Sequence, residues 1–183
     1  PLFAGVYWDI QDLVLEDIDR IEVIRGPGGT LWGANAVNGV INILTKNSKD
    51  TQGALLSGGA GTKEEGFATA RYGTKFSNGA TMRVFGKYFQ RDSFESTVPG
   101  TGEGSDSWHM AHEGFRMDWD ASASDSVTLQ GDFYNGKAGS DTTVATLAPP
   151  FTSSGPDRQD LIGGNMLGRW THRLAGGSET QLQ

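Results

Sequence analysis

Two histidines close to acidic residues are the most direct hint of a metal site in this sequence. His109 and His112 are three residues apart, with Asp106 before them and Glu113 directly after. Spacing of that kind on a helix would suit a metal ion. The neighbouring residues instead predict a loop that enters a strand, and positions three apart on a strand face opposite sides. We therefore predict histidines at a rim, and no metal site.

Asp118 and Asp132 are the second candidates for chemistry, because paired carboxylates can act as general acid and general base. They fall on the polar faces of neighbouring predicted strands. Arg116 shares the face of Asp118 and can pair with these carboxylates. The sequence offers no combination of nucleophile and base. We predict no catalytic residue and no enzyme activity.

The glycine-rich run Gly26-Pro27-Gly28-Gly29-Thr30 precedes a short helical segment. Backbone N–H groups at the start of a helix can bind a phosphate. The run matches neither GxxxxGK[ST] nor GxGxxG, and Pro27 has no N–H to donate. We predict a structural turn here, with no bound nucleotide or other cofactor.

Residues 18–46 predict a small α+β unit around this turn. The β-branched run Ile21–Ile24 indicates one strand, and Val40–Thr45 a second. Residues 30–36 are long enough for one or two helical turns, with Thr30 as N-cap. Asn38-Gly39 is typical of a tight turn. The residues that we predict to be needed for the turns are Gly26, Pro27, Gly28, Gly29, Asn38 and Gly39.

After residue 51 the sequence alternates between apolar and polar residues, as strands with two different faces do. Six strands are predicted, over residues 53–61, 66–76, 80–90, 110–122, 126–135 and 161–174, and a seventh starts near the end. A soluble β-sandwich would alternate in the same way. Aromatic residues near the strand ends favour the aromatic girdles of a membrane barrel.

Connections between the predicted strands alternate between short and long. Residues 77–79, 122–125 and 175–178 are short, whereas 91–109 and 136–160 are long and polar. Outer-membrane barrels show this alternation, with short periplasmic turns and long extracellular loops. The long connections carry Phe94, Trp108 and Phe151, which can stack on a flat or ring-bearing solute or pack the loops on each other.

Composition narrows the class of protein further. The 183 residues include 27 glycines and no cysteine, and the net charge is −7, which argues against a nucleic-acid partner. We find no run of about 18 apolar residues that would make a transmembrane helix. The sequence opens and stops within predicted elements, so we expect a fragment of a longer protein.

Three stretches of this sequence closely resemble the end of the plug domain of TonB-dependent outer-membrane receptors. They are residues 20–27 (RIEVIRGP), 31–36 (LWGANA) and 38–43 (NGVINI), and the predicted strand at residues 6–9 is similar to an earlier plug strand. The resemblance implies an α+β plug piece at residues 1–48. It also implies that residues 49–183 form the first six to seven strands of an all-β antiparallel transmembrane β-barrel, incomplete here and plugged.

The resemblance implies active uptake of a scarce solute across the Gram-negative outer membrane. The solute would be of the iron–siderophore, cobalamin or oligosaccharide class. Implied partners are TonB, through an N-terminal segment missing from this chain, the external solute and outer-membrane lipid. Arg25, with help from Glu22, is implied to contact carboxylates on the barrel wall, in strands that this chain lacks. A passive porin or adhesin-type barrel and a soluble β-sandwich binding domain remain alternatives.

Overall fold

The computed structural model describes residue 10, residues 12–95 and residues 102–183. The strand predicted at residues 6–9 lies outside these residues. The described chain forms two antiparallel sheets, one of two strands and one of seven, in which each strand pairs with the next along the chain. An α+β piece followed by an open antiparallel sheet agrees with the predicted fold class, which is thereby confirmed.

The first sheet pairs β1 (Ile18–Arg25) with β2 (Gly39–Thr45), and a 3₁₀ turn at Leu15–Asp17 leads into it. Between the strands lies α1 (Gly29–Trp32), a single helical turn. It is shorter than the predicted helix because Gly33 takes a φ of 90°, which ends the helical conformation. The N-cap is Gly28 and not Thr30, which was predicted wrongly. We call residues 12–51 the N-terminal unit.

Asn38-Gly39 marks the end of the β1–β2 connection and does not form a separate two-residue turn. The Gly26 N–H donates to the Asn38 carbonyl at 3.2 Å, and Gly39 then pairs with Arg25 as the first residue of β2. A Cβ atom on Gly39 would lie 2.7 Å from the Ile24 carbonyl oxygen. Glycine is therefore needed there so that the two backbones can approach each other.

The second sheet begins after a 3₁₀ turn at Ser48–Thr51. Its strands, in spatial as well as chain order, are β3 (Gly53–Gly59), β4 (Glu64–Lys75), β5 (Thr81–Arg91), β6 (Trp108–Asp120), β7 (Asp125–Ala145), β8 (Thr152–Arg173) and β9 (Glu179–Leu182). The sheet is open, with β3 and β9 at its edges.

Strands β7 and β8 are far longer than predicted, so the long connection predicted over residues 136–160 was wrong. Most of it is a continuous β-ladder, and the loop itself covers only residues 146–151. Both faces of this extension are largely exposed, and polar pairs such as the hydroxyls of Thr143 and Ser154, 2.7 Å apart, line it. Without a buried face the sequence needs no apolar alternation, which was the signal used to predict strands.

The two faces of the large sheet differ in character. The face that packs on the N-terminal unit, here called the inner face, carries Arg71, Arg83, Lys87, His112 and Asp118. The opposite, outer face exposes large apolar side chains, among them Tyr72, Val84, Phe133, Met166 and Trp170. Within the described part of the chain, no helix is both long and apolar enough to cross a membrane.

Candidate functional site between the N-terminal unit and the sheet

Among the described residues, Asp17 is the most deeply buried acidic side chain at the contact between the N-terminal unit and the sheet. It closes the 3₁₀ turn Leu15–Asp17, where its own N–H donates to the Val14 carbonyl at 3.0 Å. This turn directs the carboxylate onto the inner face, where Asp17 is only 3% exposed. The carboxylate pairs with Arg71 of β4, and its Oδ2 lies 3.1 Å from Nε of Arg83 on β5.

Arg83 connects the two ends of the β1–β2 sheet. Besides pairing with Asp17 before β1, it donates to the Lys46 carbonyl after β2 at 2.6 Å. The Lys46 N–H in turn donates to the Asp17 carbonyl at 2.8 Å. A single guanidinium, 4% exposed, therefore holds both the entry and the exit of the small sheet.

Farther along β5, Lys87 makes a second ion pair with the N-terminal unit. Its Nζ lies 2.5 Å from Oδ1 of Asp12 and donates to the Leu13 carbonyl at 3.1 Å. Arg83 and Lys87 share one face because residues four apart on a strand point the same way. We call Asp12, Asp17, Arg71, Arg83 and Lys87 the carboxylate cluster.

Where the N-terminal unit joins the large sheet, a second group of polar contacts surrounds Ser48, which is fully buried. The Ser48 N–H donates to Asp118 Oδ2 at 2.8 Å, and its hydroxyl lies 2.7 Å from that of Thr81. Arg116 donates to both Asp118 oxygens, at 2.8 and 3.0 Å, and to the Thr45 carbonyl at 3.2 Å. These five residues, Thr45, Ser48, Thr81, Arg116 and Asp118, form the junction cluster.

Gly73 allows the 3₁₀ turn Ser48–Thr51 to lie directly against β4. A Cβ atom at this position would be 2.1 Å from the Thr51 carbonyl oxygen and 2.9 Å from the Gln52 Cα. No side chain fits at such a distance, so the close approach depends on glycine.

The site is built to hold one part of the chain against another. Buried ion pairs add little stability compared with apolar packing, but removing one partner leaves an uncompensated charge and costs about 3–5 kcal/mol. The described residues contain no group of three or more side chains arranged to hold a metal ion. This arrangement makes the docking of the N-terminal unit onto the sheet depend on a few complementary charges.

Glu22 and Arg25, predicted to contact the barrel wall, lie on the β1–β2 sheet away from the large one. Glu22 accepts hydrogen bonds from Arg20 at 2.8 Å and from Asn42 at 3.0 Å, which hold the pKa of its carboxyl below the usual range. Arg25 pairs with Gly39 through the backbone, and no side-chain partner of Arg25 occurs among the described residues. A wall contact for these two residues stays a prediction.

The residues predicted to form structural turns surround α1. Gly26 takes a φ of 96°, a left-handed conformation that favours glycine, just before Pro27. The Gly28 N–H donates to the Ala36 carbonyl at 2.8 Å, whereas a Cβ on Gly29 would meet nothing within 4 Å. Whether Gly26, Pro27, Gly28, Gly29, Asn38 and Gly39 are all needed for folding stays a prediction.

The three aromatic residues predicted to contact solute do not come together. Trp108 starts β6, packs edge-on against Phe89 with ring centroids 5.7 Å apart, and has the Arg91 guanidinium 4.6 Å from its ring. Phe94 and Phe151 are exposed. Trp108 pairs with Ala138 across β6 and β7, and Phe151 lies beyond the end of β7 at Ala145, about 23 Å farther along the ladder. Solute contact by these residues stays a prediction.

The predicted pairing of Arg116 with Asp118 is confirmed, whereas the ion pairs between the N-terminal unit and the inner face were missed. The alternation within the predicted strands 66–76, 80–90 and 110–122 does put Arg71, Arg83, Lys87 and Arg116 on the polar faces of three neighbouring strands. A row of cations on one face indicates an acidic partner. Asp12 and Asp17 precede the resembling stretch, and nothing in their spacing distinguishes them from Asp19.

Comparison with known proteins connects this geometry to a family. Residues 4–40 match the family model described as TonB-dependent Receptor Plug Domain. The chain is 41% identical over 88 residues to the "Vitamin B12 transporter BtuB" of Vibrio vulnificus, which covers 46% of this chain and 14% of that protein. Over 111 residues it is 32% identical to the protein of the same name from Vibrio cholerae, covering 60% of this chain and 17% of the relative.

A third relative is the "Iron-regulated outer membrane virulence protein" of Vibrio cholerae, 36% identical over 89 residues. That match covers 44% of this chain and 13% of the relative. The chain thus spans less than a fifth of the length of the curated relatives that it matches. A plug-domain match, an α+β unit and an antiparallel sheet with a polar inner face agree with one another, and they support a fragment similar to part of a TonB-dependent outer-membrane receptor.

Proposed function

We propose that this chain is part of a receptor for active, TonB-dependent uptake of a scarce solute across the outer membrane. In this proposal, residues 1–48 belong to the plug and residues 49–183 to the barrel. The observation that supports it best is the docking of the N-terminal unit through buried charges onto the inner face of the sheet. A plug that closes a lumen needs contacts that are stable in the absence of transport and that can separate when the plug is moved.

Polar contacts suit a gate better than an apolar interface would. An ion pair such as Asp17 with Arg71 and Arg83 is lost over a short displacement, and water can solvate the separated charges. We propose that TonB pulls on the plug from the periplasm, and that this work separates the carboxylate cluster. The junction cluster lies beside the covalent link to β3, so it would separate last.

The solute is proposed by class. Relatives named as vitamin B12 transporters and as an iron-regulated outer-membrane protein support a cobalamin or an iron–siderophore complex, and the oligosaccharide class stays open. We propose that the solute is captured at the extracellular end of the sheet. Phe94, Trp108 and the hairpin tip at Phe151 lie at that end. Because Phe151 and Trp108 are far apart along the ladder, capture by both requires a large solute.

The test is uptake by cells that express the full-length receptor, with and without TonB. Labelled cobalamin and a ferric siderophore are offered separately, and the expected result is accumulation of one of them only when TonB is present. Accumulation that does not need TonB would favour a passive porin instead. Absence of receptor from the membrane fraction would favour the soluble β-sandwich.

Entry of a large antibiotic that normally cannot cross the outer membrane tests the plug role separately. Asp17→Asn removes the charge that faces Arg71 and Arg83, and we expect greater sensitivity to the antibiotic at equal receptor abundance. Asp19→Asn is the matched control, because Asp19 is half exposed and pairs with the exposed Arg20. Equal sensitivity of the two variants would contradict a gating role for the carboxylate cluster.

A further inference from the structure

His112 is a buried histidine whose two ring nitrogens both face hydrogen-bond acceptors. It lies within β6 on the inner face and is 4% exposed, so the rim position predicted for His112 is wrong. Nδ1 contacts the carbonyl oxygen of Asp12 in the N-terminal unit, and Nε2 lies 3.3 Å from Oδ1 of Asp132 on β7. A neutral imidazole has one N–H and can donate to only one of these oxygens, whereas an imidazolium donates to both.

The charges around His112 also favour a positive charge on its ring. The Asp12 carboxylate is paired with Lys87, which is the cross-strand neighbour of His112. The other partner of Asp132 within the described residues is neutral, since the Asn165 amide donates to its Oδ2 at 2.7 Å. Oδ2 of Asp12 is buried without a hydrogen-bond donor in the described part of the chain. The two oxygens that face the His112 ring thus outnumber the N–H groups of a neutral imidazole, and only a charged ring donates to both.

No other cation on the elements packed around His112 serves Asp132 among the described residues. On β6 itself, Arg116 is engaged by Asp118, and on β4 and β5 Arg71 and Arg83 are engaged by Asp17. The remaining neighbours are two rings that meet the imidazole edge-on, with centroid distances of 5.5 Å for Phe85 and 6.4 Å for the titratable Tyr134. The ring of His112 is therefore the side chain placed to act as a counterion to Asp132 when it carries a second proton.

We propose, building on the plug role assigned above, that His112 is a proton-dependent hold on the plug. When protonated, it bridges the Asp12 carbonyl of the plug to Asp132 of the wall; when neutral, it donates to only one of them. Because the Asp12 carbonyl is present only while the plug is docked, docking is favoured by protons. It weakens when His112 gives up that proton.

The test is amide hydrogen exchange of residues 12–17 in the full-length receptor, reconstituted without solute or TonB. Exchange is compared at about pH 5 and about pH 8, the limits between which imidazole changes charge, after correction for intrinsic rates. We expect local opening to be about tenfold more frequent at the higher pH, because one charge-assisted hydrogen bond is lost. His112→Gln, which cannot become charged, should abolish the difference.

Two further variants keep the test decisive if His112→Gln does not fold. Asp132→Asn keeps the side-chain volume but removes the charge, and should strongly reduce the pH difference. His109→Gln is the matched control and should leave it intact, because His109 lies on the other face of β6 beside Tyr88, at a centroid distance of 6.4 Å.

A wild-type receptor without a pH difference would overturn the proposal, as would a difference that persists in Asp132→Asn or His112→Gln. Failure of solute uptake, with pH-dependent exchange intact, would instead count against the transport function alone.

Discussion

The two halves of the large sheet share one sequence pattern but differ in what covers it. In β4–β6 the polar face lies against the N-terminal unit, and Thr69, Thr81, Arg83, His112 and Asp118 are buried. In β8 the same alternation leaves Asn165 and Arg169 exposed. Alternation thus decides which side chains share a face, whereas docking of the N-terminal unit decides which of them matter energetically.

The largest expected difference between the halves is that between two arginines. Arg83→Ala leaves Asp17 short of a partner in a buried setting, so we expect docking of the N-terminal unit to weaken by about 3–5 kcal/mol. Arg169 contacts only Gln183 among the described residues, and Arg169→Ala should change stability by less than about 0.5 kcal/mol. Protease resistance of residues 12–48 in denaturant titrations of the full-length receptor measures both. If Arg83→Ala and Arg169→Ala lower stability by similar amounts, burial by the N-terminal unit does not explain the difference expected between the two arginines.

Two glycines give the next comparison. A Cβ on Gly73 would collide with the Thr51 carbonyl, whereas one on Gly168 would meet only Leu129 Cδ1, at an ordinary 3.7 Å. We expect Gly73→Ala to cost about 1–3 kcal/mol through displacement of the Ser48–Thr51 turn. Gly168→Ala should be close to neutral. The displacement can be measured with Ser48→Cys, because Ser48 is fully buried and a cysteine there should react with a thiol reagent only if the turn moves. If this cysteine stays protected when Gly73→Ala is added, the close approach assigned to Gly73 is contradicted.

Two hydroxyl pairs with the same separation of 2.7 Å test burial alone. Thr81 with Ser48 is buried, and Thr143 with Ser154 is exposed. Thr81→Val leaves the Ser48 hydroxyl with fewer partners in a dry site, so we expect a loss of about 1–2 kcal/mol. Thr143→Val should be within about 0.5 kcal/mol of wild type, because water replaces the lost bond. Unfolding midpoints in urea compare the two, and a larger effect at Thr143 would reverse the interpretation.

The smallest expected effect concerns Glu22, outside the docking contact. Hydrogen bonds from Arg20 and Asn42 lower the pKa of its carboxyl, so its contribution to stability is present above the usual carboxyl pKa and is lost as pH falls through the lowered one. Glu22→Gln should therefore lower the melting temperature slightly at about pH 7, and by progressively less as the pH falls below the usual carboxyl pKa. If Glu22→Gln lowers the melting temperature more at acid pH than at about pH 7, the lowered pKa assigned to the Glu22 carboxyl is contradicted.

The sequence alone determined most of the local structure and the resemblance to a receptor family. β-branched runs and a glycine-rich break predicted β1, α1 and β2, and period-two alternation predicted β3 to β9 with the correct inner and outer faces. These signals are local, because propensity and face depend on near neighbours. They predicted the extended β7–β8 hairpin poorly, since it has no buried face to impose an apolar alternation.

Only the tertiary structure decided which charges meet. Arg83 looks like any lysine or arginine on a polar strand face until Asp17, distant along the chain, is docked against it. Asp17 and Asp19 are alike in sequence, yet one is buried between two arginines and the other is exposed. The energy of a charge depends on its surroundings in three dimensions, on burial and on the partner's distance. A pattern read along one chain carries neither quantity.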